Sequence, residues 1–190
     1  LNVLSGPGGE VGEALCTDPR VQKVFFTGST EVGRRVIELC ARNITDMGME
    51  LGGKSPNIIF EDAQWEQAVA GAVFGILLNN GQNCIAGSRL LVQRSLYDKF
   101  VEAVGEKMAS LRVGLPMDPD TQLGSIVSRE QWARVRDYIE IGKAEGARVV
   151  GGGKVPDALP HPDGYYLEPT LLADVDNKMR VAQEEIFGPV

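Results

Sequence analysis

Apolar positions along the chain follow two different periods. Residues 21–26 and 57–60 are short, mostly apolar stretches of strand length. In contrast, Trp65, Ala68, Val69, Ala72, Val73, Ile76 and Leu77 recur at the i, i+3, i+4, i+7 spacing of one helix face. The same spacing predicts a helix over 31–41 on Val32, Val36, Ile37 and Cys40. It predicts another on Tyr97, Phe100, Val101, Val104, Met108 and Leu111, and a third on Trp132, Val135 and Ile139. Residues 1–4, 90–93, 147–150 and 165–175 read as further strands, 10–15 as a short helix, and 182–189 as a helix or turn leading into a strand. Ser29 or Thr30, Asp62, Ser95 and Ser128 stand where helix N-caps are needed, because their side-chain oxygens can accept from unpaired first-turn amides. Strands alternating with helices predict an α/β fold with parallel sheets and right-handed crossovers.

Glycines punctuate this pattern in three places that resemble phosphate sites. Gly6-Pro7-Gly8-Gly9 follows a strand-like run, but Val11 breaks the dinucleotide fingerprint. Thr27-Gly28-Ser29-Thr30 joins a strand to a helix start, the arrangement that can place backbone amides around a pyrophosphate. Gly48-Met49-Glu50-Leu51-Gly52-Gly53-Lys54-Ser55 satisfies the P-loop spacing, which requires a strand before the first glycine and a helix at the lysine. Pro56 turns Ser55 away from helical angles, and 57–60 is a strand, so the P-loop reading fails on context.

Composition narrows the class. The chain has 190 residues, 43% of them hydrophobic, and a net charge of -7, which argues against nucleic-acid or anionic-membrane surfaces. There is no run of about 18 apolar residues that would span a bilayer. Three widely spaced cysteines do not form a disulfide framework, and they favour a reducing, cytoplasmic setting. The chain opens without Met in an apolar run and stops at Pro189-Val190 as if entering a strand, so it reads as a fragment of a longer protein. The lone His161 sits between prolines in a polar, flexible loop over 151–164 and reads as surface.

The chemistry concentrates at Asn79-Asn80-Gly81-Gln82-Asn83-Cys84, a polar, glycine-bracketed loop between a long helix and a strand. A thiol there is displayed at the end of rigid elements. Cys40, by contrast, lies on an apolar helix face and reads as core. Cys84 is therefore a candidate nucleophile, whereas Glu50 taken alone is only a solvated carboxylate.

Four motifs occur in one order: Phe26-Thr27-Gly28-Ser29-Thr30-Glu31-Val32-Gly33, Met49-Glu50-Leu51-Gly52-Gly53-Lys54-Ser55-Pro56-Asn57, Gly81-Gln82-Asn83-Cys84 and Glu184-Glu185-Ile186-Phe187-Gly188-Pro189. Together they resemble the NAD(P)-dependent aldehyde dehydrogenase superfamily, in its hydrolytic, betaine-aldehyde-dehydrogenase-like form, over essentially the whole chain. The resemblance implies a Rossmann-like α/β fold, with residues 1–50 the C-terminal half of the coenzyme domain and 51–190 most of the catalytic domain. It implies that the Cys84 thiolate attacks an aldehyde, that hydride passes to NAD or NADP, and that Glu50 activates the water that hydrolyses the thioester. The Cys84 amide would contribute to an oxyanion hole. Gly28 and Ser29 would meet the pyrophosphate, Glu185 the nicotinamide ribose and Leu51 the coenzyme, while Lys54 and Phe187 carry no assigned role. No metal is implied, and the parent would be a homo-oligomer. The alternatives are a CoA-acylating or phosphorylating relative, which needs no water-activating base, and an inactive structural relative. An isolated piece with half its coenzyme domain is expected to turn over little.

Overall fold

A computed structural model of the chain describes residues 1–158, 161 and 163–190. These divide into two units, Leu1–Gly52 and Gly53–Val190.

In the first unit a π-helical turn at Gly8–Gly12 leads into α1 (Glu13–Thr17). Strand β1 (Lys23–Gly28), α2 (Thr30–Ala41) and β2 (Asp46–Leu51) then form a parallel βαβ unit, with Lys23 opposite Asp46 and Gly28 opposite Leu51. Ser29 caps α2, its Oγ accepting from the Val32 amide at 3.2 Å. Cys16, Val36, Leu39 and Cys40 form the buried core, with Val24, Phe26, Met47 and Met49 packed against it. The buried line of α2 therefore runs through Gly33, Val36, Leu39 and Cys40, and the expected Val32 and Ile37 face outward at 49% and 41% exposure. Strand β2 was illegible because Gly48 breaks its apolar run. The Phe25 ring, directly opposite in the ladder, covers the space where a side chain at 48 would lie. Gly48 thus sits in a strand, and β3 begins at Pro56, so the P-loop pattern forms no phosphate cradle. Residues 1–4 form no strand, because among the described residues β1 and β2 pair only with each other.

In the second unit β3 (Pro56–Ile59) and β4 (Arg89–Val92) pair in parallel across α3 (Trp65–Leu77). Helix α4 (Tyr97–Ala109) packs on α3 through a core of Ile59, Val69, Val73, Leu77, Phe100, Val104 and Met108, with Trp65 edge-on to Phe100 at 5.5 Å. Helix α5 (Arg129–Ala144) builds a second core with Leu167, Val181 and Ile186 and is capped by Ser128, whose Oγ accepts from the Gln131 amide at 3.2 Å.

Four expectations are corrected here. Strand β5 (Arg148–Gly151) pairs with β6 (Leu171–Ala173) in antiparallel fashion, and the described residues between them carry no crossover helix, which a parallel pair would need. The strand expected over 165–175 shrinks to those three residues of β6. Asp62 does not cap α3, which starts after Gln64 without a side-chain cap. Ser95 lies in a 3-10 turn ahead of α4, where its Oγ accepts from Gln93 Nε2 at 3.2 Å instead of capping the helix. Helix α6 (Arg180–Gln183) is one short turn. Of the loop expected over 151–164, Leu159, Pro160 and Pro162 lie outside the described residues, and His161 is exposed. Among the described residues, no helix is long and apolar enough to cross a membrane.

Candidate functional site

The end of α3 reverses sharply. Asn79, Asn80 and Gly81 take φ values of 55°, 56° and 69°, three successive left-handed residues. Asparagine and glycine are the residues that enter this region at least cost, which explains an Asn-Asn-Gly sequence at this bend. Side-chain bonds hold the bend in place: Asn79 Nδ2 donates to the Gln82 carbonyl at 2.9 Å, and Asn80 Nδ2 to the Ser125 carbonyl at 3.2 Å. Asn80 Oδ1 and Gln82 Oε1 each accept at 3.1 Å, from the Gly124 and Val127 amides respectively.

Beyond the bend, Asn83 folds the tip. Its Oδ1 accepts from the Ile85 amide and its carbonyl from the Ala86 amide, both at 3.1 Å. Cys84 and Ile85 are thereby left exposed, whereas Cys16 and Cys40 are buried. Among the described residues the Cys84 N–H donates to no protein acceptor.

A second turn, over 184–188, packs against this loop. Phe187 is left-handed at φ 62°, and Gly81 lies so close to the Gly188 carbonyl that no side chain fits between them. Helix α5 grips the turn by its main chain. Gln131 Nε2 donates to the carbonyls of Ile186 and Phe187 at 3.0 and 2.8 Å, and Arg134 Nη2 to that of Glu185 at 2.7 Å. Glu184 accepts from Arg180 and from the Tyr138 hydroxyl, and these bonds, Arg180 first, hold its carboxyl at about 2. Glu185 is different: its Oε1 is buried with no partner among the described residues. Glu185 lines a recess of about 10 Å³ with Gly81, Asn83 and Phe187, roughly the volume of one water.

Lys54 lies near the same carboxylate. Burial, reinforced by the charge of Arg89 and opposed by Glu185, lowers its ammonium to about 8. Lys54 also borders a larger cavity of about 560 Å³ between the edges of β4 and β6, which neither Cys84 nor Glu185 lines. That cavity is a gap between two strand edges and is not part of the Cys84 site.

The remaining candidate residues belong to the first unit. Glu50 stands on β2 opposite Thr27 with an exposed side chain, and Leu51 stands opposite Gly28 with its side chain against Gly33. Gly28 and Ser29 form the exposed turn into α2. The structure thus groups Glu50, Leu51, Gly28 and Ser29 around one βα turn, and groups Cys84 and Glu185 around the recess at Gly81. Sequence reasoning missed Gln131 and Arg134, and it placed Asn80 in the Cys84 loop without its bracing bonds to Gly124 and Ser125. The Asn-Asn-Gly triplet was a signal for the bend, whereas Gln131 and Arg134 look like any polar positions on an amphipathic helix.

Comparison with known proteins matches residues 1–190 to the aldehyde dehydrogenase family. The chain is 48% identical over 193 residues to 5-carboxymethyl-2-hydroxymuconate semialdehyde dehydrogenase of Escherichia coli, covering 100% of this chain and 41% of that protein. It is 44% identical over 190 residues to betaine aldehyde dehydrogenase of Mesorhizobium japonicum, covering 100% and 39%. Among solved structures, the NAD+ complex of Staphylococcus aureus betaine aldehyde dehydrogenase aligns with a TM-score of 0.94 at 43% identity, over 97% of this chain and 36% of that one. The NAD+ complex of Bacillus cereus aldehyde dehydrogenase gives 0.92 at 44%, over 97% and 37%. The chain therefore spans about two fifths of the length of the curated relatives it matches.

Proposed function

Because the chain belongs to the aldehyde dehydrogenase family, we propose that it is the segment of an NAD(P)-dependent aldehyde dehydrogenase that carries the nucleophile, the general base and part of the coenzyme site. The observation that carries this reading is the exposed Cys84 thiol at a braced loop tip, packed beside a turn whose Glu185 oxygen is buried and unpartnered. A buried carboxylate oxygen without a partner is costly unless a ligand supplies one.

Cys84 adds to the carbonyl carbon of an aldehyde, and its own N–H, free of acceptors among the described residues, points to stabilisation of the oxyanion that forms. A bound nicotinamide coenzyme would accept the hydride that leaves that carbon, and the substrate would remain on Cys84 as a thioester. Glu50, exposed on β2, takes a proton from the water that hydrolyses the thioester. The residues fit such a coenzyme in two ways. The Ser29-capped N-terminus of α2, with Gly28 before it, offers a positive helix end to phosphate. Glu185 offers the unpaired acceptor to ribose hydroxyls, and Leu51 packs beside the Gly28 turn. We infer residues 1–50 as the C-terminal half of the coenzyme domain and 51–190 as catalytic domain. The free thiols suit a reducing cytoplasm, and the parent is expected to be a homo-oligomer.

Glu50 favours hydrolysis over acyl transfer to CoA or phosphate, because only hydrolysis needs a base to activate water. The test is NADH formation from an aldehyde by the longer parent enzyme. Cys84→Ala should abolish it, and Glu50→Gln should leave about one turnover per site followed by a stalled thioester. Undiminished steady-state turnover in Cys84→Ala would sink the assignment.

A further inference from the structure

The two halves of this site in the second unit, the Cys84 loop and the Glu185 turn, are held by one short piece of chain. Within 124–134, Gly124, Ser125 and Val127 bind the side chains of Asn80 and Gln82, while Gln131 and Arg134 bind the carbonyls of Glu185, Ile186 and Phe187. We propose that segment 124–134 is a bracket that sets the spacing between the nucleophile and Glu185, with Asn80, Gln82, Gln131 and Arg134 as positioning residues.

The physical argument is one of strain at both ends. Asn79 and Asn80 on one side, and Phe187 on the other, hold left-handed angles that a side-chain-bearing residue keeps only when its surroundings over-determine it. Bonds from both ends of 124–134 fall on or beside those residues, and between them Ser125, Ile126 and Trp132 tie the segment to Tyr165 and Tyr166, which gives it a fixed base. The bracket is itself stiffened midway by the Ser128 cap, which bonds the amide of Gln131. Gln131 donates both amide protons to successive carbonyls, and Arg134 places a charged donor on the main chain of Glu185 and leaves the carboxylate free. Loosening one end therefore releases the other, because both hang on one short segment, helical from Arg129 onward.

The bracket rests on the proposed function only for its consequence, and the test separates the two. Amide hydrogen exchange is measured at Val127, which reports the Gln82 end, in the wild-type chain and in Arg134→Met and Arg134→Lys. Arg134→Met keeps an apolar stem of similar length but removes the donor at the Glu185 end together with the guanidinium over the Tyr138 ring, both of which a cationic Lys can partly replace. Val127 should exchange about tenfold faster in Arg134→Met, and at the wild-type rate in Arg134→Lys. Reciprocally, Gln82→Ala should speed exchange of the Gln131 side-chain amide by a similar factor, which serves if Arg134→Met does not fold. Equal rates at Val127 in all three proteins, or an unchanged Gln131 amide in Gln82→Ala, would overturn the bracket. In the parent enzyme, Arg134→Met should raise KM for NAD about tenfold while changing kcat less than about twofold, with Arg134→Lys restoring KM. A change in kcat alone would count against positioning of Glu185. Coupled exchange in a parent that never reduces NAD would instead remove the proposed function and leave the bracket standing.

Discussion

Gly81 and Gly188 touch backbone to backbone: a Cβ on Gly81 would fall well inside van der Waals contact distance of the Gly188 carbonyl oxygen, and Gly81 is left-handed at φ 69°. Gly188 in turn lies on Val135, so α5, the 184–188 turn and the Cys84 loop are in direct contact through these two glycines. Position 81 thus requires glycine for two reasons at once, its backbone angle and its lack of a side chain. Gly81→Ala should destabilise the second unit by roughly 2–4 kcal/mol, since the clash is with main chain that cannot rotate away. Urea unfolding followed by tryptophan fluorescence measures this, because Trp65 and Trp132 both belong to that unit. Gly71, with nothing within 4 Å of the Cβ position, is the control, and Gly71→Ala should be neutral or slightly stabilising.

The three thiols should separate by access. Cys84 is exposed at its loop tip, whereas Cys16 and Cys40 are 3% and 0% exposed, and burial together with the neighbouring Cys40 pushes the Cys16 thiol up. Iodoacetamide at neutral pH should alkylate Cys84 at least about a hundredfold faster than either of the others, as read by peptide mass mapping. Comparable rates at all three sites would mean that the first unit opens freely, or that the Cys84 loop is closed in solution.

The capping serine of α2 offers a way to separate stability from coenzyme binding. Ser29→Ala removes the acceptor for the Val32 amide and should cost about 1 kcal/mol, whereas Ser29→Asp keeps the cap. If the turn also receives a pyrophosphate, Ser29→Asp should weaken NAD binding by about tenfold while leaving the unfolding midpoint near wild type. Parallel thermal melts and NAD titrations of the parent enzyme carry the test. Unchanged affinity in the Asp variant would remove Ser29 from the coenzyme site.

Caps and helix faces show how far the sequence could be read. Ser29 and Ser128 were legible because a helix begins directly after each. Asp62 and Ser95 have the same chemistry, but the chain after each of them first makes a turn, and no periodicity signals that delay. Val32 and Ile37 were misplaced because a lone βαβ unit covers only a narrow line of α2, narrower than its apolar stripe. Strand β2 was hidden because Gly48 borrows its cover from Phe25 across the ladder, a pairing visible only once the register is known. In the candidate site, Cys84 stood out because a thiol in a polar glycine loop is an unusual combination. Gln131 and Arg134 did not, since their partners are carbonyls more than 50 residues away in the chain.

Lys54 should leave a pH signature. In the folded chain burial holds its ammonium down to about 8, against the ordinary 10.5 that the unfolded chain restores. The unfolded state therefore binds more protons between those two values, so this group's contribution to stability rises with pH through that window. Below pH 8 the full desolvation cost is present, and above 10.5 it has gone. Lys54→Met keeps the length and apolar stem and removes the charge. It should be more stable than wild type at pH 7, by at most about 3 kcal/mol, with the difference shrinking as pH climbs from 8 toward 10.5. Urea midpoints for the two proteins at pH 7, 8.5 and 10 decide it, and because other groups titrate identically in both, only the difference matters. A variant that is less stable than wild type at pH 7 would mean that the Glu185 carboxylate outweighs burial at Lys54, and the two would then be a stabilising ion pair.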